Sequence, residues 1–350
     1  MIFHPRPLGK SGIDVSSICL GTMTYGQQNT PQEAFDQLEH ARSFGVNFMD
    51  TAELYAIPPK PETQGATEEI IGDYFAKYGR RNDWVLATKV IGRSGHMDWF
   101  REGNKLPRLD HANIEEALHK SLHRLKTDVI DLYQLHWPDR DIPLFGAQLG
   151  YRHSTNYGIP MEESLESLAK FVQQGKIRAI GLSNETPWGV MKFLQLAQQH
   201  DLPCVVSVQN AYNLLNRTYE MGLSEVSLRE QVACLPYSPL AGGVLSGKYL
   251  GNALPEGSRK ALFDRVDRYE KKGAAEAVAA YQELAKSHGL TSTQLALAFC
   301  HGRDFVTSTI IGATGMTQLQ ENLNAFTIDL SDEVLAGIEE IHLRQPNPCP

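Results

Sequence analysis

Short apolar runs, many of them β-branched, recur along the chain, and stretches with apolar residues at every third or fourth position separate them. The apolar runs predict strands over residues 17–22, 47–51, 85–90, 130–136, 178–183, 205–209, 233–237 and 307–312. Most are apolar almost throughout, which is the pattern of parallel strands covered on their outer side. Between them the helical period predicts helices over 32–44, 67–78, 110–125, 161–174, 187–199, 274–288, 292–301, 317–325 and 332–342. Ile114, Leu118, Leu122 and Leu125, for example, share one face of the third. Thr30-Pro31 ahead of the first supplies a cap and a proline for the opening turn.

Alternating strands and helices imply a parallel sheet. Eight such units within 350 residues match a closed barrel with insertions. The rival is an open doubly wound sheet, which would need a glycine-rich turn after its first strand to hold a dinucleotide. The chain has Leu20-Gly21-Thr22-Met23-Thr24-Tyr25-Gly26 there, which lacks that glycine spacing. The expected fold is therefore α/β, a (β/α)8 TIM barrel with an N-terminal β-hairpin within residues 3–15 and an extra C-terminal helix. Residues 1–350 are expected to form a single domain. Long segments follow the second, third, fourth and seventh strands, at 56–66, 91–109, 138–160 and 238–272. Such segments gather at the C-terminal mouth of a barrel, so they are candidate lids and substrate walls.

Composition narrows the function classes. The net charge is -8 and no Lys/Arg run occurs, so no nucleic-acid partner is expected. Five cysteines are scattered without a CxxC pair, which points away from a disulfide framework and toward a reducing, cytoplasmic setting. No apolar stretch reaches membrane-spanning length, and the N-terminal residues lack the apolar core of a signal peptide. No metal is expected either. His119 and His123 lie one turn apart on a helix, but no third ligand accompanies them. Gly9-Lys10-Ser11 lacks the upstream glycine and strand of a phosphate loop. Nothing in the sequence sets an oligomeric state.

The chemistry is concentrated where three strands end. Asp50 closes the second, Lys89 the third and His136 the fourth, and Tyr55 follows in the loop after Asp50. A charge in an apolar strand is costly unless paired, and Asp50 stands on the strand next to Lys89. Carbonyl reduction needs a proton on oxygen. A phenol near an ammonium is brought toward a useful acidity. In this reading Tyr55 is the acid, Lys89 lowers its pKa, Asp50 holds Lys89, and neutral His136 orients the substrate oxygen. Tyr25 and Trp137, with Trp99, Tyr151 and Tyr212, are aromatic candidates for the substrate wall. The 138–160 segment is a candidate lid.

Asp50-Thr51-Ala52-x-x-Tyr55, Thr88-Lys89, Leu135-His136-Trp137-Pro138, Gly181-Leu182-Ser183-Asn184, Val208-Gln209-Asn210, Pro236-Tyr237-Ser238-Pro239-Leu240 and Glu321-Asn322 together resemble the aldo-keto reductase family, in its order and over essentially the whole chain. The stretch from Asp50 to Gly65 is most similar to the Tas-like bacterial branch, near the potassium-channel β-subunit group. The resemblance implies NADPH-dependent reduction of a small-molecule aldehyde or ketone. It implies that Ser183, Asn184 and Gln209 hold the nicotinamide carboxamide, and that Tyr237 stacks on the ring. Gly21, Thr22, Met23 and Asp50 would border that end. Ser238, Pro239, Leu240, Gly242, Leu245 and Gly247 would follow the pyrophosphate, and Gly312, Thr314, Gln318, Glu321 and Asn322 the adenosine. Lys248 and Arg259, with Ser258, match phosphate contacts of the β-subunit group. They are the basis for NADPH, although many members carry a Pro-Lys-Ser segment where Ile310-Ile311-Gly312-Ala313-Thr314 runs, and an Arg where Gln318 stands. Two alternatives remain: a dinucleotide-sensing regulatory protein with incidental turnover, and a barrel with lyase or isomerase activity.

Overall fold

The computed structural model describes residues 5–146 and 150–350; residues 3 and 4 of the expected hairpin and 147–149 of the 138–160 segment lie outside the described residues. Strands β1 (Arg6–Pro7) and β2 (Asp14–Val15) pair antiparallel as the N-terminal hairpin. The barrel strands are β3 (Ile18–Gly21), β4 (Phe48–Asp50), β5 (Val85–Val90), β6 (Ile130–Leu135), β7 (Ile177–Ser183), β8 (Val205–Gln209), β9 (Ala233–Cys234) and β10 (Thr309–Ile311). Each coincides with or falls inside its predicted run, apart from β7, which starts one residue earlier. They form one parallel sheet in the order β10-β3-β4-β5-β6-β7-β8-β9. The Thr307 amide donates to Cys234 O (3.0 Å) and the Ile310 amide to Pro236 O (2.9 Å), which joins the two ends of the sheet.

The helices are α1 (Pro31–Ser43), α2 (Ala66–Tyr78), α3 (His111–Arg124), α4 (Met161–Gln173), α5 (Pro187–Gln199), α6 (Leu223–Glu230), α7 (Arg259–Phe263), α8 (Ala274–Ser287), α9 (Ser292–His301), α10 (Met316–Ala325) and α11 (Asp332–Arg344). Thr30 caps α1 through a reciprocal box with Glu33. The extra C-terminal helix, α11, packs on α8. Helices α6 and α7 were not predicted, because at eight and five residues they are too short to show a period. No helix among the described residues is long and apolar enough to cross a membrane.

Three apolar clusters result among the described residues, and two of them build the barrel. The larger lies between strands and helices. The smaller fills the barrel itself: Cys19, Phe48, Ala87, Leu132, Ala179, Val206, Ala233, Leu235 and Ile310 meet Leu8, Ile13 and Val15 of the hairpin, which plugs the floor. Gly9, at φ +56°, makes that plug possible, because a Cβ there would collide with the Val206 carbonyl.

Candidate active site

Side chains alternate along a strand, so residues two apart share a face. Phe48, Ala87, Leu132 and Ala179 point into the barrel. The same face therefore presents Asp50, Lys89, Gln134 and Gly181 one layer higher, and His136 follows Gln134 at the rim. Adjacent registers bring them level: Lys89 pairs with Gln134, and Gln134 with Gly181. Gly181 is needed, because a Cβ would lie 2.6 Å from Ser207 Oγ and 2.9 Å from Gln134 Cγ.

Lys89 is fully buried, and its ammonium is satisfied on three sides. It donates to Asp50 Oδ2 (2.6 Å), to Thr51 O (2.7 Å) and to the Tyr55 hydroxyl (3.4 Å). The other Asp50 oxygen accepts from Gln209 Nε2 (2.8 Å) and Gln134 Nε2 (3.1 Å). Thr22 Oγ1 ties the Asp50 carbonyl to the neighbouring strand (2.9 Å). A buried ion pair of this kind is tolerable only because its remaining polar positions are hydrogen-bonded. The His136 ring meets Tyr55 edge-on at 5.9 Å between centroids. The structure thus brings together all four residues expected from strand ends and loop. It also adds Gln134, which sequence reasoning missed although it lies two residues before His136 on the same face.

Electrostatics sharpens the roles. Burial pulls the Lys89 ammonium down, but Asp50 and Tyr55 outweigh it, and the net pKa lies above the usual lysine value. Burial pushes the Tyr55 phenol up; Lys89 draws it back, Asp50 adds to the rise, and the net remains above the ordinary tyrosine value. Lys89 thus acts in the expected direction, but desolvation outweighs it. Burial, reinforced by Lys89, holds the His136 imidazole well below the usual histidine range, so the ring is neutral. Its Nδ1 is buried and has no hydrogen-bond partner among the described residues.

A cavity of about 1780 Å³ opens above this cluster. It is lined by Gly21, Thr22, Met23, Asp50, Tyr55, His136, Trp137, Ser183, Asn184, Gln209, Tyr237, Ser238, Pro239, Leu240, Gly242, Lys248, Ser258, Arg259, Gly312, Thr314, Gln318, Glu321 and Asn322. Tyr237 donates to Asn184 Oδ1 (2.7 Å), and Asn184 Nδ2 donates to the His136 carbonyl (2.8 Å). Gly242 and Gly243 adopt left-handed angles of +65° and +94° and leave bare backbone beside the cavity. Asn322 donates to Gly312 O (3.1 Å), and Gln318 accepts from the Thr314 amide (3.0 Å). The 91–109 segment brings Trp99 to the cavity. A buried two-point pair, Arg101 to Glu53 (2.8 and 2.9 Å), bolts that segment to the Tyr55 loop.

Some expected residues lie elsewhere. Tyr25 is wholly buried in the outer core, with its hydroxyl donating to Gln37 (3.2 Å), so it forms no substrate wall. Tyr212 is buried against Glu220, and Tyr151 projects outward, 72% exposed. Leu245 is core, and Gly247 closes a turn against Gln282; neither reaches the cavity. Of the 138–160 segment, Leu144 and Phe145 line the mouth.

Comparison with known proteins agrees with this geometry. Residues 17–343 match the model of the aldo/keto reductase family. The chain is 47% identical to "Protein tas" of Escherichia coli over 351 residues, covering all of both chains. It is 40% identical to an "Aldo-keto reductase" of Babesia bovis over 280 residues, 75% of this chain and 97% of that one. It is 31% identical to a "Probable voltage-gated potassium channel subunit beta" of Arabidopsis thaliana over 349 residues, 97% of each chain. Fold, mouth and sequence agree, and the chain belongs to the aldo/keto reductase family, a family of oxidoreductases.

Proposed function

We propose that the protein reduces an aldehyde or ketone to the alcohol with NADPH, Tyr55 supplying the proton. The observation that carries this reading is the buried Tyr55–Lys89–Asp50 cluster at the floor of a large open mouth. The cavity fits a dinucleotide. Ser183, Asn184 and Gln209 offer amide and hydroxyl groups for the carboxamide, Tyr237 offers an aromatic face, and the glycine turn at Gly242 and Gly243 offers room for phosphates. Lys248 and Arg259 line the same cavity with no carboxylate at ion-pair distance among the described residues. Burial lowers the Arg259 pKa, a penalty that an added phosphate would relieve.

A nicotinamide held by Ser183, Asn184, Gln209 and Tyr237 would supply the hydride for the carbonyl carbon. Tyr55 then has to deliver a proton to the carbonyl oxygen. Its raised pKa keeps the phenol protonated at neutral pH, so the acid is loaded before substrate arrives. As the proton leaves, Lys89 is already in place to hold the phenolate, and Asp50 keeps that ammonium aimed. With no acceptor for Nδ1 among the described residues, the neutral His136 ring is suited to carry its hydrogen on Nε2 and donate it to the same oxygen. Trp137, Trp99, Leu54 and Ile57 close the apolar side of the mouth and shed water from the reacting carbonyl. Five free thiols, four of them buried, suit a reducing cytoplasm.

The test is NADPH oxidation, followed by absorbance, across a panel of aldehydes and ketones. Turnover with some members and loss of nicotinamide absorbance is expected; no oxidation with any carbonyl would overturn the reading. The similarity to a potassium-channel β-subunit relative favours a second reading, a dinucleotide-sensing partner protein. Exposed Trp188 and Met221 on adjoining elements give such a role a surface. That reading expects stable capture of a partner and turnover too slow to respond to substrate.

A further inference from the structure

Lys248, Arg259 and Arg268, which line the mouth without an acidic partner among the described residues, fall into two groups. Arg259 reaches across to the β3 side, its Nη2 4.0 Å from Met23 Sδ. A Cβ on Gly242 would meet its Nη1 at 3.8 Å, and one on Gly243 would meet Lys248 Nζ at 3.0 Å. Both cations border the glycine turn, where phosphates fit.

Arg268 stands apart from them. Its Nη1 donates to the Tyr237 hydroxyl (2.9 Å). Its stem packs beside Gly146, where a Cβ would lie 3.0 Å from Arg268 Cγ. The adjoining Phe145 ring meets Trp137 edge-on at 5.9 Å, and Trp137 lies 5.0 Å from His136 between ring centroids. Arg268 therefore joins the wall around the reacting carbonyl, while Tyr269 beneath its guanidinium (5.7 Å) backs onto the turn at Gly242. Among the described residues no carboxylate lies within ion-pair distance of it, and its buried Nε has no hydrogen-bond partner. A guanidinium presents a fork of donors, and one contact, to Tyr237, uses it here. The Tyr237 and Tyr269 rings lie 5.9 and 5.7 Å from its guanidinium carbon. With the Tyr237 hydroxyl they offset its desolvation and keep it charged, but neither ring uses the remaining N–H donors. The ligand that matches its fork is a planar anion. With a net charge of -8 the protein as a whole repels anions, so a cation beside the reaction centre sets local preference against the global field.

Resting on the carbonyl-reductase reading of this mouth, we propose that Arg268 binds a carboxylate carried by the substrate, and that the preferred substrates are aldehydes or ketones bearing an acidic group. The carbonyl oxygen sits at Tyr55 and His136, the aromatic wall covers the middle of the molecule, and the acid end reaches Arg268.

The experiment compares the meta and para isomers of carboxybenzaldehyde with their methyl esters, using NADPH, in the wild type, Arg268→Gln and Arg268→Lys. The readout is the ratio of kcat/KM for acid over ester within each protein, so any loss that acts through Tyr237 or the cofactor cancels. The wild type is expected to favour at least one acid by about 10- to 100-fold, mainly through KM. Arg268→Gln should bring that ratio to near unity, and Arg268→Lys should keep part of it. Equal use of acid and ester by the wild type, or a ratio unchanged in Arg268→Gln, overturns the proposal while leaving the reductase reading intact. No NADPH oxidation with these or any other carbonyl removes both.

Discussion

The floor and the mouth of the barrel are made by the same strands and lie one pleat apart. At the floor Phe48, Ala87, Leu132 and Ala179 interlock with the hairpin and need only shape. Two residues further along, the same faces carry Asp50, Lys89 and Gln134, joined through hydrogen bonds that engage both oxygens of the Asp50 carboxylate. The floor is an apolar core whose members contribute by area and volume. The mouth is a buried polar network whose members depend on one another. The lower layer is built for stability, and the chemistry is proposed for the upper, where hydrogen bonds offset the cost of desolvation.

The sharpest way to separate the two is Lys89→Met. It should lower kcat by about 10²–10⁴ and, by leaving Asp50 buried without its partner, cost about 3–5 kcal/mol in urea denaturation. Adding Asp50→Asn should recover much of the stability and none of the rate. Recovery of both would mean that the pair is structural only. The matching change at the floor is Phe48→Ala. It should cost about 3–5 kcal/mol through the cavity it leaves, while the folded fraction keeps kcat within about threefold, since the catalytic layer is held by its own hydrogen bonds.

Smaller effects follow at the edge of the mouth. Lys248→Ala with Arg259→Ala should weaken NADPH binding by about 10- to 100-fold and NADH binding much less, measured by nucleotide fluorescence. Equal losses would place both cations on the pyrophosphate. Smallest is a pH effect. The folded-state pKa of His136 lies below its unfolded value of 6.5, so its contribution to stability is complete above that pH. It is lost as pH falls, because the unfolded chain then binds a proton that the folded one refuses. His301, pushed down to about 4 by burial, acts in the same window. Urea midpoints taken between pH 7 and 5 should fall in the wild type by at most about 1.4 kcal/mol per pH unit for each histidine. The fall should be shallower in His136→Asn; equal slopes would show that the ring titrates freely.

The mouth was legible in sequence wherever a polar residue ended an apolar run. Asp50, Lys89 and His136 stood out for that reason, and the eight runs themselves located the strands to within a residue or two at most ends. Gln134 did not stand out, because it is enclosed by Tyr133 and Leu135, although counting back two from His136 along β6 puts it on the catalytic face. Tyr25 was assigned to the mouth because it follows a strand. The chain instead turns at once beneath α2, where Thr67 donates to the Tyr25 carbonyl (2.8 Å), and carries the ring into the core. Arg268 could not be read at all. Its partner Tyr237 and its neighbour Gly146 are far away in sequence, and only the closed barrel sets them together. The acidity of Tyr55 is half legible for a similar reason: the sequence shows the lysine that lowers the phenol's pKa, and only the fold shows the desolvation that outweighs it.

The most direct measurement is the turnover of Tyr55→Phe with NADPH and the best carbonyl of the panel, alongside its NADPH affinity and urea midpoint. The Tyr55 hydroxyl lies 3.4 Å from Lys89 Nζ and is assigned the proton. Its removal should lower kcat by about 10²–10⁴ and leave nucleotide binding and stability close to the wild type. A variant that keeps turnover within a few-fold of the wild type would show that the proton comes from another group, and would contradict the role assigned to Tyr55.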